Sequence, residues 1–273
     1  MTFRDKVCVV TGAASGIGRA CAIALARRGA ALALSDVNEA GLNETLGLLQ
    51  PAGSNRIRSD RLDVADAGAI ESYAAAVKDS LGDADYLFNI AGVTRIGRFE
   101  DTPLSSFEKV MDVNFWGVVR MTKAFLPQLA ATRGGVVNIS SVFGFIGYPG
   151  QSHYCASKFA VRGFTETIAQ ELAEKGVRVS SVHPGGVATA ITRNAAVDAL
   201  PAGIADRGAI EAHFDKAAIT TPERAAAIIL DGAAKGRRRI IVGPDARLMA
   251  LAQRLFPESY PRLLGIFGGR VLT

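Results

Sequence analysis

Short runs of β-branched and other apolar residues alternate with longer stretches of helical periodicity along the chain. The runs Val7–Val10, Ala31–Ser35, Arg56–Leu62, Tyr86–Asn89, Val136–Ser140, Arg178–His183 and Ile240–Val242 predict strands. The segments between them, roughly 16–28, 39–50, 66–81, 104–131, 152–174 and 222–235, predict helices. Alternation at this spacing builds right-handed βαβ units on a parallel sheet. The early strands are apolar at nearly every position, as expected when helices cover both sheet faces. No internal repeat or Ser/Pro/Gly-rich linker divides the chain, so a single α/β domain is expected over residues 1–243. Two regions break the pattern. Residues 188–215 form an Ala-rich connection much longer than usual, which suggests a lid over a site. Residues 244–273 lie beyond the last strand as a C-terminal extension.

Composition narrows the class. The 273 residues are 49% hydrophobic and 21% charged, which excludes a disordered or collagen-like chain. The net charge of +5 is unevenly placed. Lys235–Thr273 holds eight basic and two acidic residues, +6, so the first 234 residues carry −1. A basic nucleic-acid-binding face on the body is therefore not expected. Cys8, Cys21 and Cys155 are odd in number and lack CxxC spacing, which argues against a disulfide framework or a zinc site and for a reducing compartment. His153, His183 and His213 are too scattered to suggest a metal cluster. No apolar run reaches the ~18–20 residues of a membrane span, and the first residues do not read as a secretory signal. A soluble cytoplasmic enzyme is expected.

The first candidate chemistry lies where the first strand meets the first helix, at Thr11-Gly12-Ala13-Ala14-Ser15-Gly16-Ile17-Gly18. Glycines there let the backbone turn tightly and approach a pyrophosphate, and the helix N-terminus offers N–H groups to it. A tight turn alone would also account for them. The second strand ends at Asp36, 18 residues after Gly18, where a carboxylate accepts hydrogen bonds from ribose hydroxyls and repels a 2′-phosphate. A helix N-cap is the plainer role for Asp36. No Lys or Arg follows it, and Ser15 stands where a basic residue would favour NADP, so NAD is the expected cofactor. Asp63 and Val64, after the third strand, are candidates for the adenine edge. The expected fold is thus a Rossmann-type doubly wound parallel sheet of about seven strands.

Tyr154 and Lys158 are four positions apart on a predicted helix and share a face. A nearby ammonium favours phenolate and would lower a tyrosine pKa from its free value of ~10. That spacing arises readily by chance, but it is accompanied by four phrases in order. Asn89-Ile90-Ala91-Gly92 and Asn138-Ile139-Ser140-Ser141 end strands, Asn114 lies in the long middle helix, and Pro184-Gly185-Gly186-Val187-Ala188-Thr189 follows the sixth strand. In these motifs, over about residues 5–243, the chain resembles the short-chain dehydrogenases/reductases, with Ile90 departing from the family's Asn-Asn-Ala-Gly.

The resemblance implies a catalytic set of Asn114, Ser141, Tyr154 and Lys158. Tyr154 would exchange a proton with the substrate, Lys158 hold the nicotinamide ribose, and Ser141 donate to the substrate oxygen. Asn114 would anchor a water that relays protons to Lys158. It also implies that Asn89, Ala91, Gly92, Pro184, Gly185, Val187 and Thr189 border the cofactor, that Phe143 and Gly185 touch substrate, and that the chain forms a homodimer or homotetramer. His153 and Cys155 flank Tyr154 but point about 100° away from it; His153 is a weak substrate candidate, Cys155 a core residue and His183 structural.

Val142–Tyr148 and the lid residues Ile191, Val197, Leu200 and Phe214 suggest an apolar pocket, with Arg95 and Arg193 as candidates for a substrate anion, although a surface position is the plainer reading for each. The expected reaction interconverts an apolar secondary alcohol and its ketone. Within the family the chain looks most like bacterial members labelled acetoin-dehydrogenase-like. A 3-oxoacyl-carrier-protein reductase is the alternative, though Asp36 and the extension speak against it. An extended sugar epimerase would have a larger C-terminal domain and a different glycine spacing. A noncatalytic dinucleotide-binding protein conflicts with the intact Ser141–Tyr154–Lys158 set. In the extension, Leu248, Leu251, Leu255 and Phe256 form a helical apolar stripe among Arg247 and Arg254, followed by Leu263, Leu264, Ile266 and Phe267. The stripe would pack on its own subunit or a neighbour, or attach peripherally to an anionic membrane.

Overall fold

The computed structural model describes residues 3–49, 56–189, 191, 195–200 and 206–262, except for the side chains of His213 and Asp215. Arg193, Leu263, Leu264, Ile266 and Phe267 lie outside the described residues. All seven predicted strands are present: β1 (Val7–Thr11), β2 (Ala31–Asp36), β3 (Ile57–Arg61), β4 (Tyr86–Asn89), β6 (Gly135–Ile139), β7 (Arg178–Pro184) and β9 (Arg239–Val242). They form one parallel sheet in the order β3-β2-β1-β4-β6-β7-β9. Two short strands not anticipated, β5 (Arg95–Ile96) and β8 (Ala196–Val197), pair in parallel apart from it.

Helices cover both faces of the sheet. On one, α1 (Gly16–Arg27) and α8 (Pro222–Ala234) bury Leu25 and Ile229 against Leu32, Leu34 and Phe88. On the other, α3 (Ala67–Leu81), α5 (Gly117–Thr132) and α6 (Ser152–Glu171) bury Val77, Phe125, Leu129 and Ile168 against Val9, Leu87 and Val179. These two layers account for the unbroken apolar strands. Polar caps set helix starts: Asn38 accepts from Gly41 N at the start of α2 (Glu39–Leu48), Asp66 from Ala69 N before α3, and Thr221 from Arg224 N before α8.

The predicted middle helix is present as α4 (Leu104–Met111) and α5, joined by one π-helical turn, Asp112–Trp116. Such turns displace the helix surface locally, and this one carries the fully buried Asn114. The long connection after β7 holds β8 and a further helix, α7 (Arg207–Ala217). The extension begins with α9 (Pro244–Leu255), whose Ala246, Met249 and Ala250 pack on Val142, Phe145 and Ile146.

Candidate active site

Strands β2 and β3 extend the sheet to one side of β1, and β4, β6, β7 and β9 to the other, so a crevice opens at the carboxyl ends of β1 and β4. Gly12 and Gly16 have φ of +68° and +52°, conformations that glycine adopts without strain. A Cβ on Gly18 would lie 1.9 Å from the Gly12 carbonyl oxygen, so the helix meets the loop too closely for any side chain. Ser15 precedes α1, and its side chain does not cap the helix. Ile17 is partly buried against the core behind the loop. Thr11 Oγ1 accepts from both Ile90 N and Ala91 N at 3.0 Å, tying the β1 end to the β4 end.

Asp36 ends β2, half-buried. Its Oδ2 accepts from Ala14 N and its Oδ1 from Asn38 N, each at 3.0 Å, so the carboxylate faces the glycine loop. Asn38, not Asp36, caps α2. The nearby cation Arg19 is already engaged by Ala14 O, Thr45 Oγ1 and Glu44. Glycine cradle, helix start and carboxylate together fit a dinucleotide without a 2′-phosphate. Asp63 follows β3 with its carboxylate accepting from Ala65 N, and the Val64 side chain packs where Gly117 leaves room.

At the end of β4 the expected roles separate. Asn89 is buried and turns inward, donating to Asn138 Oδ1 (2.8 Å) and Thr122 Oγ1 (3.2 Å), so its side chain braces β4 against β6 and α5. Ile90 packs against both Leu- and Ala-rich cores, which explains how an apolar residue is accommodated there. Gly92 lies against the site: a Cβ would come 3.2 Å from Asn114 Oδ1 and 3.5 Å from Lys158 Nζ. Gly92 therefore fronts the site, Ala91 packs partly against the core, and Asn89 faces inward.

Tyr154 and Lys158 share one face of α6, with Lys158 Nζ 5.4 Å from the Tyr154 ring centroid. Lys158 is buried; its Nζ donates to Ile139 O at 3.0 Å, and its own carbonyl accepts from Ser140 Oγ at 2.8 Å. Asn114 holds both backbone groups of Val93, accepting from its N–H at 2.8 Å and donating to its carbonyl at 2.9 Å. It also donates to Ser157 Oγ (3.1 Å), which in turn donates to the Tyr154 carbonyl (2.8 Å). Ser141 follows β6, and its Oγ accepts from Phe143 N at 3.1 Å.

Burial dominates the electrostatics. It pushes the Tyr154 phenol up to about 12, partly offset by a hydrogen bond with Ser141, and pulls Lys158 down to about 8. The expectation of a lysine-lowered tyrosine is therefore not met. The low-dielectric site penalises both charged forms more than the ammonium favours the phenolate. His183 is buried and stacked on Phe145, with centroids 4.1 Å apart. Its Nδ1 lies 3.1 Å from the Ser141 carbonyl and its Nε2 2.9 Å from Ser181 Oγ. Because a carbonyl only accepts, Nδ1 is assigned the proton, and burial pulls the imidazole down to about 4. The structural role expected of His183 is specific: it fixes the backbone of Ser141.

A cavity of about 590 Å³ adjoins these groups. Ser141, Phe143, Tyr154, Gly185, Val187 and Thr189 line it together, beside Ile146, Tyr148, Ile191 and Phe214. Pro184 is buried at the end of β7, and Thr189 Cγ2 lies 3.0 Å from where a Gly16 Cβ would be, so the turn after β7 reaches the glycine loop. The other two expected lid residues do not line the cavity: Val197 packs with Ile96 and Ile210, and Leu200 is exposed.

Some candidates are corrected. Arg95 is not a free anion ligand, because its guanidinium is bidentate to Asp198, with Nε 3.0 and 3.1 Å from the two oxygens, and holds that carboxyl below the usual carboxylate range. His153 is fully buried against Phe107, and Cys155 is buried; neither lines the cavity. Asp245 and Met249 of α9 do line it, so the extension takes part in the site. Asp245 Oδ2 accepts from Gly186 N at 2.7 Å, and a Cβ on Gly185 would collide with that carboxylate. Thr11 and Ser140 stand within the glycine-loop and Asn138–Ser141 phrases, whereas Ser157 and Asp245 had no signal beyond their residue type.

This geometry agrees with comparisons to known proteins. The chain is 46% identical over 267 residues to SadH of Mycobacterium tuberculosis, an oxidoreductase by name, covering 96% of this chain and 95% of that one. It is 35% identical over 213 residues to the 3-oxoacyl-[acyl-carrier-protein] reductase FabG of Thermotoga maritima, covering 74% and 85%. A short-chain dehydrogenase/reductase from Burkholderia phymatum, solved in complex with NAD, superposes with a TM-score of 0.84 at 28% identity over 96% of each chain. The family model described as short chain dehydrogenase matches residues 6–199, from β1 through the connection that bears β8. The chain therefore belongs to the short-chain dehydrogenase/reductase family of oxidoreductases.

Proposed function

We propose that the protein is an NAD-dependent oxidoreductase that interconverts an apolar secondary alcohol and its ketone. The observation that carries this reading is the meeting of the Ser141 and Tyr154 side chains on one largely apolar cavity, with Lys158 buried beside the tyrosine. NAD bound in the crevice would supply the hydride acceptor or donor. The NAD held by the Burkholderia neighbour supports that choice, as does the Asp36 carboxylate, which would accept from ribose hydroxyls and repel a 2′-phosphate. Gly12, Ser15, Gly16, Ile17 and Gly18 would cradle the pyrophosphate, Asp63 and Val64 the adenine, and Ala91, Gly92, Pro184, Gly185, Val187 and Thr189 the nicotinamide half.

Ser141 Oγ would donate to the substrate oxygen and stabilise its developing charge. Tyr154, a phenol at neutral pH, would donate its proton to a ketone and take one back from an alcohol. Positive charge on Lys158 would stabilise the phenolate left behind. Asn114 would keep the Val93 backbone, and with it the lysine's surroundings, in place. Phe143 and Gly185 would confine the substrate. The similarity to FabG favours a second reading, reduction of a 3-oxoacyl thioester. Assays with a panel of secondary alcohols from acetoin to steroids, and with a 3-oxoacyl thioester, separate the two. The first reading predicts NADH formation with apolar alcohols and a clear preference for NAD. Activity confined to the thioester with NADPH would overturn it.

A further inference from the structure

Helix α9 has two working faces. Ala246, Met249 and Ala250 pack inward, while Leu248, Leu251 and Leu255 are 58%, 53% and 59% exposed. At 100° per residue these three leucines fall within about 60° of one another on the opposite side. Phe256, 51% exposed, extends the stripe at its end. Arg247 and Arg254, seven positions apart and both exposed, border the stripe along one flank, and exposed Arg262 follows. Asp245 does not dilute this charge outward, because its carboxylate is turned to Gly186. No described helix is long and apolar enough to cross a membrane.

We infer that the outer face of α9 docks on an anionic lipid surface. Apolar side chains bordered by arginines on a short helix are the arrangement that binds in the interfacial plane, where leucines enter the acyl boundary and guanidinium groups pair with phosphate. The charge is complementary in the same sense: Arg247, Arg254 and Arg262 stand exposed on the described extension against the single exposed carboxylate of Glu258. A second copy of this chain would bring its own arginines to the same stripe, which disfavours self-pairing of that face. Met249, one residue from Leu248, lines the cavity, so docking sets the cavity within about one helix diameter, ~10 Å, of the lipid.

Co-sedimentation of the full chain with vesicles tests this. Vesicles of equal parts phosphatidylcholine and phosphatidylglycerol should pellet the protein, and phosphatidylcholine alone should not. Raising salt to ~1 M, where the screening length falls to ~3 Å, should release it. A Leu248→Ser, Leu251→Ser, Leu255→Ser variant should lose about tenfold or more in partitioning, and Arg247→Glu with Arg254→Glu should lose as much. Far-ultraviolet circular dichroism and the thermal midpoint confirm that the variants fold. Sedimentation reads docking without turnover, so the chemistry proposed above stands or falls separately. Several results would overturn the inference: no pelleting with anionic vesicles, undiminished pelleting of the leucine variant, a drop in that variant's oligomeric mass without vesicle binding, or pelleting only after removal of residues 263–273.

Discussion

At the scale of single residues, the site combines groups that folding alone would not choose. Lys158 is 3% exposed, and its Nζ donates to the Ile139 carbonyl beside the Tyr154 ring. A folded-state pKa of about 8 against 10.5 corresponds to about 3 kcal/mol of unfavourable burial. The sign follows from proton linkage. Below pH 8 both folded and unfolded chains hold the proton and the full penalty applies; it fades as pH rises toward 10.5, where the unfolded chain alone would be charged. Lys158→Met should therefore abolish turnover yet raise unfolding free energy by about 1–3 kcal/mol at pH 7, with the gain vanishing near pH 10.5. Urea unfolding at several pH values checks this. A destabilised variant at pH 7 would show that the hydrogen bond to Ile139 outweighs the burial.

At the scale of elements, what could be read from sequence follows the strength of the local signal. Most of the seven main strands were legible as short apolar runs flanked by helical periodicity, and β3, Ile-Arg-Ser-Asp-Arg, from its place between two helical stretches. β5 and β8 were not, being two residues each and paired across about a hundred residues of chain. The engagement of Arg95 was hidden for the same reason: its partner, Asp198, comes from the far end of that pairing. The inward face of α9 was hidden because it carries small Ala246 and Ala250, while its conspicuous leucines face outward. The Tyr154–Lys158 face was legible from spacing, but burial, which governs their protonation, was not.

The Arg95–Asp198 pair, with Ser106 Oγ also donating to Asp198 (3.1 Å), pins the end of β8. With that tie removed, Asp198→Ala should raise amide exchange in β8 and α7 about tenfold and raise the substrate KM more than it lowers kcat. Hydrogen-exchange mass spectrometry with steady-state kinetics reads both. Unchanged exchange would mean that apolar packing of Ile96, Val197 and Ile210 holds the segment unaided.

At the scale of the whole molecule, the layers leave aromatic surface beyond the site. Trp116 at the π-helical turn is 48% exposed, and Phe159 on α6 is 42% exposed. An assembly through these helices would cover both, as expected for a homodimer or homotetramer. Light scattering of the wild type should give a multiple of the chain mass, and Trp116→Glu with Phe159→Glu should reduce it. A monomeric wild type would contradict that assembly.

The account rests on Tyr154 as the group that moves the proton. The direct measurement compares wild type with Tyr154→Phe for NADH formation from an alcohol substrate and for NADH binding by fluorescence. The account predicts at least a thousandfold loss of turnover, set against about 10²–10⁴ for a positioned acid–base group, with NADH affinity essentially unchanged. Turnover within tenfold of wild type would contradict it.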